Sequence, residues 1–134
     1  MRIVLDASAA LAAVLGRRPA AGVLDVLAGA STVVAPDLFA SEVGNGLWKY
    51  VSAGEITVEE AAVALEAGLS LVERFIPVTE LAQEALREAA HHGHPVYDLC
   101  YAIAARREGC AVLTIDARLQ KLLAKMDIPV AGMK

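Results

Sequence analysis

Four carboxylates in this 134-residue chain stand at places where a strand ends or a helix begins. Asp6 follows the apolar run Ile3-Val4-Leu5, and Asp116 follows Val112-Leu113-Thr114-Ile115. Glu42 lies early in the helical pattern after Pro36, and Asp98 lies in the first turn of another. Each has a structural reading of its own: Asp6 and Asp116 suit helix N-caps, Asp98 suits the positive end of a helix dipole, and Glu42 suits a solvated helix face. Brought into one crevice they read differently, because four acids raise one another's pKa unless a cation compensates. Oxygen ligation without an adjoining His or Cys cluster suits Mg²⁺ or Mn²⁺ rather than zinc or copper. Such ions support displacement at phosphorus by activating water and by neutralising the attacking and leaving oxygens.

The elements between these acids decide whether they meet. Apolar runs at Ile3–Leu5, Thr32–Ala35 and Ala111–Thr114 read as strands buried on both faces, with a short edge strand at Phe75–Val78 and a terminal one at Ile128–Val130. Helical patterns fill the gaps: 9–15, 20–28, a helix capped by Asp37 and running to about Ala53, and one opened by the capping box Thr57-Val58-Glu59-Glu60 and running to about Val72. Others begin at Thr79, at Val96 or Tyr97, and at Ala117. This alternation predicts an α/β fold, a parallel sheet of about five strands with helices on both faces and right-handed crossovers. The carboxyl ends of its strands border the crevice where ligands bind, which is where Asp6 and Asp116 should sit, with Glu42 and Asp98 just outside the same edge.

Composition limits the alternatives. A chain that is 57% hydrophobic, without linker-like stretches, fits one compact domain. Its apolar runs are too short or interrupted to cross a bilayer and its start lacks a signal-peptide pattern, so a soluble cytoplasmic protein without a membrane partner is expected. Cys100 and Cys110 form no C-x-x-C pair and read as reduced core thiols. The net charge of −4 argues against a general nucleic-acid coat. Residues 55–88 carry eight acids against two arginines, whereas 96–134 carry six basic residues against four acids, so a polyanion is expected at the C-terminal third.

Val4-Leu5-Asp6-Ala7-Ser8, Pro36-Asp37-Leu38 with Ser41-Glu42-Val43, Asn45 and Leu47, Tyr97-Asp98 with Tyr101 and Ala102, and Leu113-Thr114-Ile115-Asp116-Ala117-Arg118-Leu119 together resemble the PIN-domain ribonucleases. Among these the chain looks most like a VapC-type toxin of a toxin–antitoxin pair. The resemblance spans the whole chain and implies a single PIN-like domain over residues 1–134, a three-layer α/β/α sandwich. It implies that Asp6, Glu42, Asp98 and Asp116 bind Mg²⁺ or Mn²⁺ and support hydrolysis of RNA by activated water, with Ser8, Asn45 and Thr114 lining the site. A cognate antitoxin and a homodimer are implied in the same way. Residues 55–94 carry no family signature.

Other features fit this frame and also admit plainer readings. Glu42, Asn45 and Lys49 share a helix face, so Asn45 is placed to orient Glu42. Arg118, Lys121 and Lys125 line one helix face beside Asp116, and Arg17 and Arg18 lie in a loop; all five are candidates to hold RNA phosphates or to be solvated. Trp48, Tyr97 and Tyr101 read as core or dimer contacts more readily than as base-stacking platforms. His91, His92 and His94 read as complements to a helix C-terminus. Two rival classes remain: a phosphoacceptor receiver domain, which such a fold and Mg²⁺-binding acids also fit but whose acidic pair and late lysine are missing, and a PIN-like binding module without catalysis. No Gly-rich turn follows the first strand, which excludes a dinucleotide-binding domain.

Overall fold

In the computed structural model, which describes residues 1–133, four strands and seven helices alternate along the chain. The strands are β1 (Arg2–Leu5), β2 (Thr32–Pro36), β3 (Arg74–Ile76) and β4 (Ala111–Leu113). The helices are α1 (Ala7–Leu15), α2 (Ala20–Ala28), α3 (Leu38–Ser52), α4 (Val58–Ser70), α5 (Val78–His92), α6 (Val96–Glu108) and α7 (Ala117–Lys125). All strand pairs are parallel, in the order β3-β2-β1-β4.

The pleat sorts the side chains of β1 to opposite faces. Ile3 and Leu5 join the core built with α1 to α4, while Val4 joins the core built with α5, α6 and α7. All three are fully buried. Covering both faces of so apolar a sheet produces the three-layer α/β/α arrangement expected from the sequence.

The strand count is four rather than about five. Val112 donates to the Pro129 carbonyl at 2.9 Å and accepts from Ala131 N–H at 2.9 Å, but Val130 forms only an isolated bridge to Val112. Pro129 has no N–H to extend a ladder. Asp37 also departs from expectation. Its backbone is already helical, it makes no side-chain cap to α3, and its carboxylate accepts instead from Val78 N–H at 3.0 Å. The Thr57–Glu60 capping box is formed in both directions.

The basic residues of the C-terminal third are partly engaged within the chain. Glu84 pairs with Arg106 at 2.6 Å and Arg107 at 3.0 Å, and Glu88 pairs with Arg106 at 3.0 Å. The acids of α5 thus meet the basic end of α6, and Arg106 and Arg107 do not form an open polyanion surface. Cys100 and Cys110 are free and buried, and burial pushes both thiols up. Among the described residues no helix is long and apolar enough to cross a membrane.

What this fold positions is the carboxyl edge of the sheet. From β1 the chain passes to β2 on one side, and β4 returns on the other. The crevice between β1 and β4 is therefore the switch point at which parallel sheets of this kind open a site.

Candidate active site

Asp6 leaves β1 with its N–H donating to the Leu113 carbonyl at 3.0 Å, so the backbone still belongs to the sheet while the side chain lies beyond it. Although it occupies the N-cap position of α1, its carboxylate makes no cap bond. Two hydroxyls bond it instead: Ser8 Oγ donates to Oδ2 at 2.5 Å and Thr114 Oγ1 donates to the same oxygen at 2.7 Å.

The direction of these bonds is forced. Ser8 Oγ accepts from Ile115 N–H at 3.2 Å, and Thr114 Oγ1 accepts from Asp116 N–H at 3.0 Å. Each hydroxyl has one proton and directs it at Asp6, so the 3.2 Å approach of Ser8 to Thr114 is a contact without a proton of its own. The arrangement favours an ionised Asp6. Burial opposes it, and the nearby charge of Asp98 adds to that opposition, so the carboxyl is held above its ordinary range.

Glu42 lies in the second turn of α3. Its Oε1 accepts from the Tyr101 hydroxyl at 2.6 Å. Burial again raises its pKa most; the Tyr101 bond pulls the other way, and the charges of Asp6 and Asp98 push it up further. Tyr101 itself is buried, and burial beside those acids moves its phenol upward.

Asp98 lies in the first turn of α6, with Oδ2 2.7 Å from His94 Nε2 and 3.5 Å from the Arg118 guanidinium. Asp116 is the N-cap of α7, its Oδ1 accepting from Arg118 N–H at 2.9 Å. One element thus supplies Asp116 as a true cap, whereas Asp6 in the equivalent position does different work.

All four acids line one cavity of about 350 Å³, with Ser8, Ser41, Asn45, Leu11, Gly46 and Lys49. Ser8 and Asn45 are therefore where the sequence reading expects them. Thr114 is fully buried and supports Asp6 from behind the wall, while Arg118 stands at the rim, 65% exposed. Asn45 makes no hydrogen bond to Glu42; Tyr101 does that work. Asp98 and Tyr101 fall at i and i+3 on α6, a spacing that places both on one helix face and could have revealed the tyrosine. Trp48 and Tyr97 are largely exposed, 60% and 68%, so neither is core. The His94 N–H closes the end of α5 on the Ala89 carbonyl at 3.1 Å, while its side chain turns to the helix that follows and holds Asp98 from outside the cavity, a nitrogen beside a site read as all oxygen.

The donor set fits a hard divalent cation. Asp6 and Glu42 are both pushed up by burial and by neighbouring negative charge, and Lys49 is the one cation in the described lining. Among the described residues no three acids, histidines or cysteines come close enough together to hold a metal ion between them. The carboxylates line walls rather than meet at a point, which suits an ion that keeps several of its waters.

A three-layer α/β/α sandwich with an acidic crevice at its switch point is the class of protein that emerges, and comparison with known proteins agrees. The PIN domain family profile matches residues 3–125, and the chain belongs to the PIN-domain family. Ribonuclease VapC3 of Pyrobaculum aerophilum is 31% identical over 134 aligned residues, covering 96% of this chain and 100% of that protein. Ribonuclease VapC1 of Mycobacterium tuberculosis is 34% identical over 116, covering 87% and 86%. In structure the chain is similar to the Pyrobaculum aerophilum protein PAE2754, with a TM-score of 0.72, 26% identity and coverage of 91% and 79%. The fold also matches a chain of VapBC2 from Rickettsia felis bound to a promoter DNA fragment, with a TM-score of 0.69, 18% identity and full coverage of both chains. This membership removes the ground for the phosphoacceptor reading.

Proposed function

We propose that this protein is an endoribonuclease toxin of the VapC type. In this reading its single domain hydrolyses phosphodiester bonds of RNA with Mg²⁺ or Mn²⁺ held by Asp6, Glu42, Asp98 and Asp116. The observation that supports it most is the charge imbalance of the cavity: four carboxylates face one space, and those of Asp6 and Glu42 are held above their ordinary range.

A bound divalent ion supplies Lewis acidity, lowering the pKa of a water and offsetting phosphate charge. The chain's own residues do the rest. Ser8 and Thr114 keep Asp6 an acceptor, Tyr101 aims Glu42, and His94 holds Asp98 at the wall. Asp116 has Oδ1 committed to capping α7, so its other oxygen is the one offered to the site. Lys49, in the lining, and Arg118, 3.5 Å from Asp98, are the partners for phosphate.

In the same reading a cognate antitoxin is the partner, a homodimer the assembled state and the cytoplasm the place of action. The deciding experiment incubates purified protein with end-labelled single-stranded RNA and Mg²⁺, Mn²⁺ or EDTA. Internal cleavage that requires the ion and is lost in both Asp6→Asn and Asp98→Asn is expected. Folded protein that leaves RNA intact with either ion would make it a binding module instead.

A further inference from the structure

A second hollow of about 300 Å³ adjoins the acidic cavity and shares Ser8 and Leu11 with it. Beyond these residues it is lined by Ala12, Leu15, Arg17, Arg18, Tyr50 and Ile115. The two hollows form a path along α1 from the carboxylates to the arginines. From Ser8 to Leu15 that path is about 10 Å long at 1.5 Å per helical residue, enough for roughly one or two nucleotides of an unpaired strand.

Charge changes sign along it. The inner end carries four acids and the outer end carries Arg17 and Arg18, with no carboxylate in the lining of the outer hollow. Arg17 is also placed. Its guanidinium lies 4.4 Å from the centre of the Tyr50 ring, a stacked geometry that keeps its N–H edges available. Its one ion-pair partner, Glu55, is 3.6 Å away, and both side chains are about half exposed, so the pair is weak and an anion of higher charge can displace it.

The hollows also select a form of nucleic acid. Asp6 is only 6% exposed at the back of the inner cavity. The phosphates of a duplex lie on a convex cylinder too wide to enter, whereas an unpaired strand can thread a narrow path.

We propose that the outer hollow is a phosphate-binding subsite, in which Arg17, stacked on Tyr50, and Arg18 grip an unpaired RNA strand on one side of the bond to be cleaved. This deepens the ribonuclease reading and rests on it. Arg17 and Arg18 grip the backbone and read no base, so the subsite contributes affinity for single strands without sequence preference. Glu55 acts as a built-in competitor for the Arg17 guanidinium.

The test measures binding of a fluorescein-labelled 12-nucleotide single-stranded RNA by anisotropy in EDTA, so that no cleavage intervenes, across a series of salt concentrations. Arg17→Ala/Arg18→Ala is expected to weaken binding about tenfold and to make the salt dependence shallower by about 1.4 in log–log slope, two phosphate contacts at about 0.7 each. Arg17→Lys/Arg18→Lys should recover most of that affinity. Glu55→Gln should tighten binding about two- to threefold, which a merely structural Arg17–Glu55 pair would not do. Arg74→Ala/Arg87→Ala, which removes two positive charges outside both hollows, sets the baseline for loss of charge alone. An Arg17→Ala/Arg18→Ala protein that binds no more weakly than this control, or a Glu55→Gln protein that binds no tighter, would overturn the subsite. In parallel, wild-type cleavage with Mn²⁺ is assayed. RNA left intact there, with the binding differences present, counts against the ribonuclease reading and not the subsite; normal cleavage with unchanged binding counts against the subsite alone.

Discussion

The hydroxyl of Tyr101, on α6, donates a 2.6 Å hydrogen bond to Oε1 of Glu42, on α3, joining residues 59 apart in sequence beneath the wall of the acidic cavity. The ring beneath that hydroxyl is a buried element of the core on one side of the sheet, so the position of Glu42 is set by packing and not by its own flexible chain. Tyr101→Phe keeps the ring and removes only the bond. Glu42 is part-buried and can turn to water, so the loss in stability should stay near about 1 kcal/mol. RNA cleavage should fall by about tenfold, chiefly in kcat, because the carboxylate is no longer aimed. Wild-type kcat in a purified Tyr101→Phe protein would show that Glu42 needs no such support.

Asp116 combines two roles that substitution can separate. As the N-cap of α7 it accepts from Arg118 N–H, and asparagine serves that purpose nearly as well. Asp116→Asn should therefore unfold within about 0.5 kcal/mol of wild type, whereas Asp116→Ala should lose about 1 kcal/mol. Both should lose RNA cleavage by at least about a hundredfold, since both remove the charge. Urea unfolding with a cleavage assay on the same preparations separates the roles; activity retained by Asp116→Asn would leave the residue a cap and nothing more.

Asp6 and Asp116 also show which parts of the site are legible in the sequence. A strand's end is marked by the change from Ile, Val and Leu to a helix starter, so the acids mounted there are visible from local pattern, and a parallel sheet brings them to one edge. Glu42 and Asp98 follow from helix starts. Tyr101, His94 and the missing Asn45–Glu42 bond depend on how α3, α5 and α6 settle against one another, and on a helix junction at Gly93 that turns the His94 side chain to Asp98 while its N–H still closes the end of α5. Packing of that kind has no signature in spacing alone. The fifth strand fails for a local reason: between the apolar Ile128 and Val130 stands Pro129, which has no N–H to extend a ladder.

Proton linkage gives a prediction for the protein without metal. Burial holds the Asp6 and Glu42 carboxyls above their unfolded values, so between those two values the folded chain carries protons that the unfolded chain has released. Stability from this source is fully present below the unfolded pKa and is lost as pH rises through the folded one. Asp6→Asn removes one such group. In EDTA, its Tm relative to wild type should rise as pH climbs above the unfolded carboxylate value of about 4. A divalent ion binds the folded state alone and should restore wild-type Tm most at the alkaline end, by more than it does for Asp6→Asn. Parallel pH curves for the two proteins, measured by calorimetry, would refute the linkage.

Two glycines of α3 separate crowding at the site from helix propensity. A Cβ on Gly46 would run into the methyl ends of Leu11, a residue that lines both the acidic cavity and the hollow beside it. α1 and α3 pack closely at this point because nothing projects from residue 46. Gly46→Ala must therefore turn Leu11 aside, and the open space beside it is the pair of hollows the substrate is proposed to use. The gain in helix propensity, about 1 kcal/mol, is set against an overpacking cost of about 1–3 kcal/mol, so stability should change little or fall, while KM for RNA should rise several-fold. At Gly44, two residues earlier, a Cβ meets nothing within 4 Å. Gly44→Ala should stabilise the fold by up to about 1 kcal/mol and leave cleavage unchanged. Thermal unfolding and steady-state kinetics on the pair check both claims, and equal KM values in the two variants would show that Leu11 does not bound the substrate path.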